Sequence, residues 1–247
     1  GLFLNSGSVA VSASATGTTA TASAEATGIQ IFLQNFSGSI VNSGSISTTV
    51  SAFSSSESAQ VTARGLLIGG NEFDSLENSG AITVKATADS SEEADVEAIG
   101  LLVERSVIAN GFENSGTIEV VAEADSSTSS ARVDASGINL YEVIFTGDFT
   151  NSGSVSVTAE AHGYYTGAVT AYGIRFRGGT TGSGTQLTAG SFLNSGSVVV
   201  SADVYADEEP ATGIAKGISI DGQLFSGAIA NSGTISVNLE TETGSES

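Results

Sequence analysis

Catalysis or ligand capture needs nucleophiles, bases or ligand atoms brought together, and this chain offers few. Its only histidine, His162, lies in Ala161-His-Gly-Tyr-Tyr165. No serine or aspartate stands at a spacing that assigns it a partner for nucleophilic catalysis, so it reads as a surface residue of a variable turn. Tyr164 and Tyr165 beside it suit stacking on a sugar or contact with a protein, or else cover an exposed end of the core. The acids collect in short runs: Glu57; Asp89, Glu92, Glu93, Asp95 and Glu97; Glu123 and Asp125; and Asp207, Glu208 and Glu209. Carboxylate oxygens are ligands for hard cations such as Ca²⁺. No Gly-Gly-x-Gly-x-Asp repeat or EF-hand loop is present, however. A solvated, solubilising edge is the reading, with a Ca²⁺-dependent adhesion module as the alternative. The seven bases are scattered, with Arg175 and Arg177 the only close pair, and the expectation is no anion groove and no catalytic centre.

The elements that position these residues follow from a repeat. Asn-Ser-Gly, then a small residue, then Val or Ile, begins at Asn5, Asn42, Asn78, Asn114, Asn151, Asn194 and Asn231, with spacings of 37, 36, 36, 37, 43 and 37 residues. One period running end to end marks a repeat array, read here as a single domain over residues 1–247. After each Asn-Ser-Gly the apolar residues alternate, as in Ile118, Val120 and Ala122, which is the pattern of a half-buried strand. A variable polar segment follows, then a second strand closing on Ala-x-Gly-[Ile/Leu]. Its glycines are Gly28, Gly65, Gly100, Gly137, Gly173 and Gly217. The inward parity slips by one at each, so each reads as a bend. A short corner with Phe36, Phe73, Ile108, Phe145 and Phe225 returns to the next Asn.

One repeat cannot bury its own apolar row, whereas stacked repeats bury every row as a ladder. The expectation is an all-β parallel β-helix, or β-solenoid, of about six coils of 36–37 residues. Its cross-section should be flattened, thick at the Phe end and thin at the Ala end. At about 4.8 Å per coil it is a stub, wider than long. Asn-Ser-Gly fits a corner in which Asn and Gly take positive φ and stacked Asn amides hydrogen-bond along the axis. The one break in period is an insertion at 177–190, where Arg177, Thr180 and Thr181 form a candidate contact loop with the Tyr164–Tyr165 pair. Residues 240–247 read as a polar tail.

Composition bounds the partners. Acids outnumber bases 27 to 7 for a net charge of −20, which argues against nucleic acid and anionic membranes. There is no cysteine and no apolar run long enough to span a bilayer. No cofactor is expected. The chain opens inside a repeat, so no leader is visible.

The units, seen for instance as Phe112-Glu-Asn-Ser-Gly-Thr-Ile-Glu-Val120 with Ala135-Ser-Gly-Ile138, resemble the β-solenoid passenger regions of bacterial autotransporter-type surface proteins and adhesins. The resemblance covers essentially the whole chain. It implies a right-handed helix, export to the bacterial cell surface or beyond it, and an adhesive or structural role. No signal sequence or C-terminal outer-membrane barrel lies in these residues. The function expected is a non-enzymatic one: the shaft of an extracellular adhesin, or a subunit of a filament built by end-to-end stacking of copies, with a surface receptor or glycan as partner. A carbohydrate-binding or polysaccharide-degrading protein on the same fold is the alternative.

Overall fold

The computed structural model describes residues 1–33, 36–70, 72–178, 186–188, 190–221 and 223–244. Every strand pairing is parallel and joins equivalent positions of successive coils, with no helix among the described residues. The chain is a β-solenoid of about six turns.

Each coil runs through three faces and a corner. A short strand ending at the repeat's Asn, such as Phe112–Asn114, lies in one seven-stranded sheet. The ten-residue strand after Asn-Ser-Gly, such as Thr117–Ser126, lies in a second seven-stranded sheet, the front sheet. The second long strand, such as Ser130–Tyr141, belongs to a six-stranded sheet, the bent sheet. Two-residue strands such as Ile144–Phe145 form the corner. In the front sheet one set of alternating side chains is buried and the other faces solvent, as the period of two requires.

The core divides in two. Ala and Val of the front and bent sheets fill one end, while Ile, Leu and Phe fill the other. At the bulky end Phe112, Phe149 and Phe192 stack along the axis with ring centroids 4.6 and 5.2 Å apart, and Phe145 and Phe176 meet Phe149 edge-on. Stacked coils place like side chains over one another, so aromatic ladders form without further design. Thr48 interrupts the Val row but is satisfied, its hydroxyl donating to the Arg64 carbonyl at 3.0 Å.

The Ala-x-Gly glycines sit where the strand's inward set changes parity. Ala135, Gly137 and Ile138 are all buried, and the pairing skips Gly137 while holding register on both sides. The strand continues through it, so the bend is a bulge within one element. Space is what demands glycine there. A Cβ on Gly100 would lie 2.5 Å from Ile118 Cγ2 and 2.6 Å from the Gly137 carbonyl, with the front sheet's Ile and Val side chains filling the gap.

Three expectations are corrected. The Asn-Ser-Gly corner does not use positive φ, which among the described residues occurs at Gly70, Gly111, Arg105 and Glu142. The stretch 240–247 is not wholly a tail, since Glu240 to Thr243 complete the strand Thr234–Thr243. The insertion 177–190 is not wholly a loop either. Arg177 ends the strand Thr166–Arg177, and Gln186–Thr188 pairs with Gln223–Phe225. The extra residues leave the stack undisturbed, because the Asn151 amide still donates to Asn194 at 2.7 Å.

Candidate functional site

Two features of the stack stand out. The first is the corner. Each ladder Asn donates from its amide nitrogen to the side-chain oxygen of the next, at 2.7 Å from Asn5 to Asn194 and 2.6 Å between Asn194 and Asn231. All six bonds point the same way along the axis. The Ser and Gly that follow both donate their N–H groups to the Asn carbonyl of the preceding coil, as Ser115 and Gly116 do to Asn78 at 2.9 Å. The motif's glycine is excluded from having a side chain by stacking. A Cβ on Gly44, Gly80, Gly116, Gly153, Gly196 or Gly233 would fall inside the carbonyl oxygen of the glycine one coil earlier. A Cβ on Gly7 would meet nothing within 4 Å.

The second feature is a crease along the outer face of the bent sheet. Outward residues flanking the bend would normally be solvated, yet here they are buried: Ile99 is 6% exposed, Ser136 1%, Tyr172 5%, Leu102 9% and Asn139 7%. An outward row that is buried means a concave surface, and the bulge at each glycine is what folds it. Register stacks Arg64, Ile99, Ser136, Tyr172 and Lys216 along one side of the crease. Leu67, Leu102, Asn139 and Arg175 stack along the other. Part of the crease is an open-sided cavity of about 290 Å³.

Its electrostatics are mixed. Arg64 bridges Glu25 at 2.9 Å and Glu97 at 2.7 Å. Arg175 lies over the Tyr172 ring at 4.0 Å, and Arg177 is 5.5 Å from the Tyr141 ring. Burial pushes the Asp134 carboxyl above its ordinary value of 3.8, against the opposing pull of Arg175. Four buried side-chain polar atoms have no partner among the described residues: Arg64 Nε, Ser136 Oγ, Asn139 Oδ1 and Arg175 Nε. Arg64, Asn139 and Arg175 line the cavity, while Ser136 stacks in register between Ile99 and Tyr172.

The chain matches no protein-family model, no curated protein and no solved structure.

The sequence-predicted contact residues do not form one site. Tyr164 and Tyr165 lie in the turn before the strand Thr166–Arg177, their rings 5.1 Å apart and edge-on, with the Tyr164 hydroxyl donating to Glu208 at 2.8 Å. That bond to a carboxylate holds the Tyr164 phenol above its ordinary range. Arg177 is at the far end of the same twelve-residue strand, on the rim of the cavity. Thr180 and Thr181 lie outside the described residues. His162 is at the end of a strand instead of in a turn, and it does have an acidic neighbour, Asp125, with Nδ1 to Oδ1 at 3.1 Å. Among the described residues no three His, Asp or Glu side chains gather as a metal site, and no helix is long and apolar enough to cross a membrane.

Five of the seven bases share one sheet. Arg64, Arg132, Arg175, Arg177 and Lys216 all stand on the bent sheet. The available signal was the variable residue of Ala-x-Gly and the second residue after the Gly, positions whose chemistry changes from coil to coil while their neighbours repeat.

Proposed function

We propose that this chain is a non-enzymatic structural β-solenoid, a length of the shaft of an extracellular adhesin or filament at a bacterial cell surface. The observation that supports the reading is the uniform ladder of Asn amides, which carries one register and one direction through seven coil levels. Hydrogen bonding along the axis and burial between coils make such an array cohesive in proportion to its length. The acidic exterior favours solubility. The partner surfaces are the two ends, where Leu2 and Leu4 are 63% and 50% exposed at one and Ile229 and Val237 are 63% and 45% exposed at the other. Unpaired parallel edges of this kind join further strands.

The ends are not perfectly matched. Among the described residues two faces hold seven strands and the bent sheet six, so a first described coil laid on the last leaves one strand position empty. The stack thus continues cleanly when a further bent-sheet strand is supplied, by more of the same chain or by a neighbouring copy. Electron microscopy of the native material at neutral pH tests the reading. Rods or filaments with an axial spacing of about 4.8 Å are expected. Discrete compact particles with no axial order would sink it.

A further inference from the structure

We propose that the crease on the bent sheet is a binding site for a neutral saccharide, with one sugar ring seated in the cavity against Asn139. The inference goes beyond the structural reading and stands independently of it, since a shaft needs no crease. What motivates it is that the buried polar atoms lacking a partner among the described residues belong to this one feature. Leaving such groups unsatisfied is costly, so a native structure that retains three of them on residues lining one cavity has a use for them.

Their chemistry selects the ligand. Of those on residues lining the cavity, Arg64 Nε and Arg175 Nε are donors and Asn139 Oδ1 is an acceptor. A hydroxyl donates and accepts at once, so adjacent ring hydroxyls satisfy a mixed set of this kind. Ile99 and Leu102 provide an apolar wall for the C–H face of a ring. The cavity of about 290 Å³ is near the small end of ligand sites, which run from about 300 Å³.

A polyanion is disfavoured. It would meet Glu97, Glu104 and Asp134 in the same cavity and approach a chain of net charge −20. An extended peptide is disfavoured as well. The central strand Ser130–Tyr141 is paired on both sides, so its backbone has no free edge to offer a further strand. Recognition has to run through side chains.

The test is ligand-observed NMR and calorimetry on the intact chain, with a panel of neutral mono- and disaccharides of glucose, galactose, mannose and N-acetylglucosamine. Glucuronate and sialic acid serve as acidic probes, and a mixed-sequence peptide library as a third arm. Saturable binding of at least one neutral sugar is expected. Asn139→Ala should weaken it about tenfold, because a buried acceptor that fixes a hydroxyl is lost. Arg177→Ala, on the exposed rim and outside the core, should weaken it by a smaller factor without touching the fold. Lys85→Ala, on the front sheet, should leave it unchanged. The proposal is overturned if no neutral sugar binds, if an acidic sugar or a peptide binds in preference, or if binding survives both Asn139→Ala and Arg177→Ala.

Discussion

Asn114→Ala probes the ladder at its most buried point. Asn114 is fully buried, accepts from Asn78 at 2.7 Å and donates to Asn151 at 2.7 Å. Truncation removes both bonds and strands two polar groups, the Asn78 amide nitrogen and the Asn151 oxygen, on side chains 1% and 0% exposed. Each orphaned buried group costs about 1–3 kcal/mol, so the two together should cost about 2–6 kcal/mol. For a chain of this size that is a fall in Tm of about 4–24 °C. Asn231→Ala is the matched control. Asn231 is exposed, and its truncation strands only the Asn194 nitrogen and opens that 1%-exposed side chain to water, so the cost should be about 1 kcal/mol or less. Urea denaturation followed by circular dichroism gives both values, with the m-value showing whether the array still unfolds as a unit. Equal costs for the two substitutions would refute the claim that the buried ladder holds the coils together.

Further outcomes follow from the same geometry. Gly100→Ala should destabilise by more than about 2 kcal/mol, because its Cβ collides with Ile118 and the Gly137 carbonyl; a neutral thermal melt would refute the close approach of the two sheets. Glu123, Glu160, Asp203 and Glu240 share one register position in successive coils, so added NaCl should raise Tm, and Glu160→Gln should reduce that salt response. The raised folded-state value of Asp134 means that its stabilising contribution is complete below 3.8 and is lost as pH rises through that folded value. Asp134→Asn should therefore raise Tm at neutral pH, and the gain should vanish once pH falls below 3.8; a gain that persists there would refute the assignment.

The architecture was legible because a solenoid repeats its inward residues. Ile118, Val120 and Ala122 recur at fixed distances from each Asn, and they are the residues that pack inside. The glycines were legible as positions and misread as chemistry at the corner. Sequence gives Gly116 as a turn former, but its reason for being glycine is the backbone of the coil beneath, a contact between residues 36 apart. The crease was hidden for the opposite reason. Arg64, Ile99, Ser136 and Tyr172 share no chemistry and no local pattern, and only the register of stacked coils makes them neighbours. His162 and Asp125 met for the same reason, being paired across coils at a distance no local motif spans.

The central claim is that the stack is made to continue through its ends. Gly7→Ala tests it most directly, because the Gly7 Cβ meets nothing within 4 Å in the isolated chain, whereas every equivalent glycine is blocked by the coil beneath it. Sedimentation velocity and electron microscopy should show the parent chain forming linear assemblies with concentration. Gly7→Ala should keep the parent Tm and remain dispersed. A parent chain that stays monomeric, or assembly that proceeds equally well with Gly7→Ala, would contradict the account.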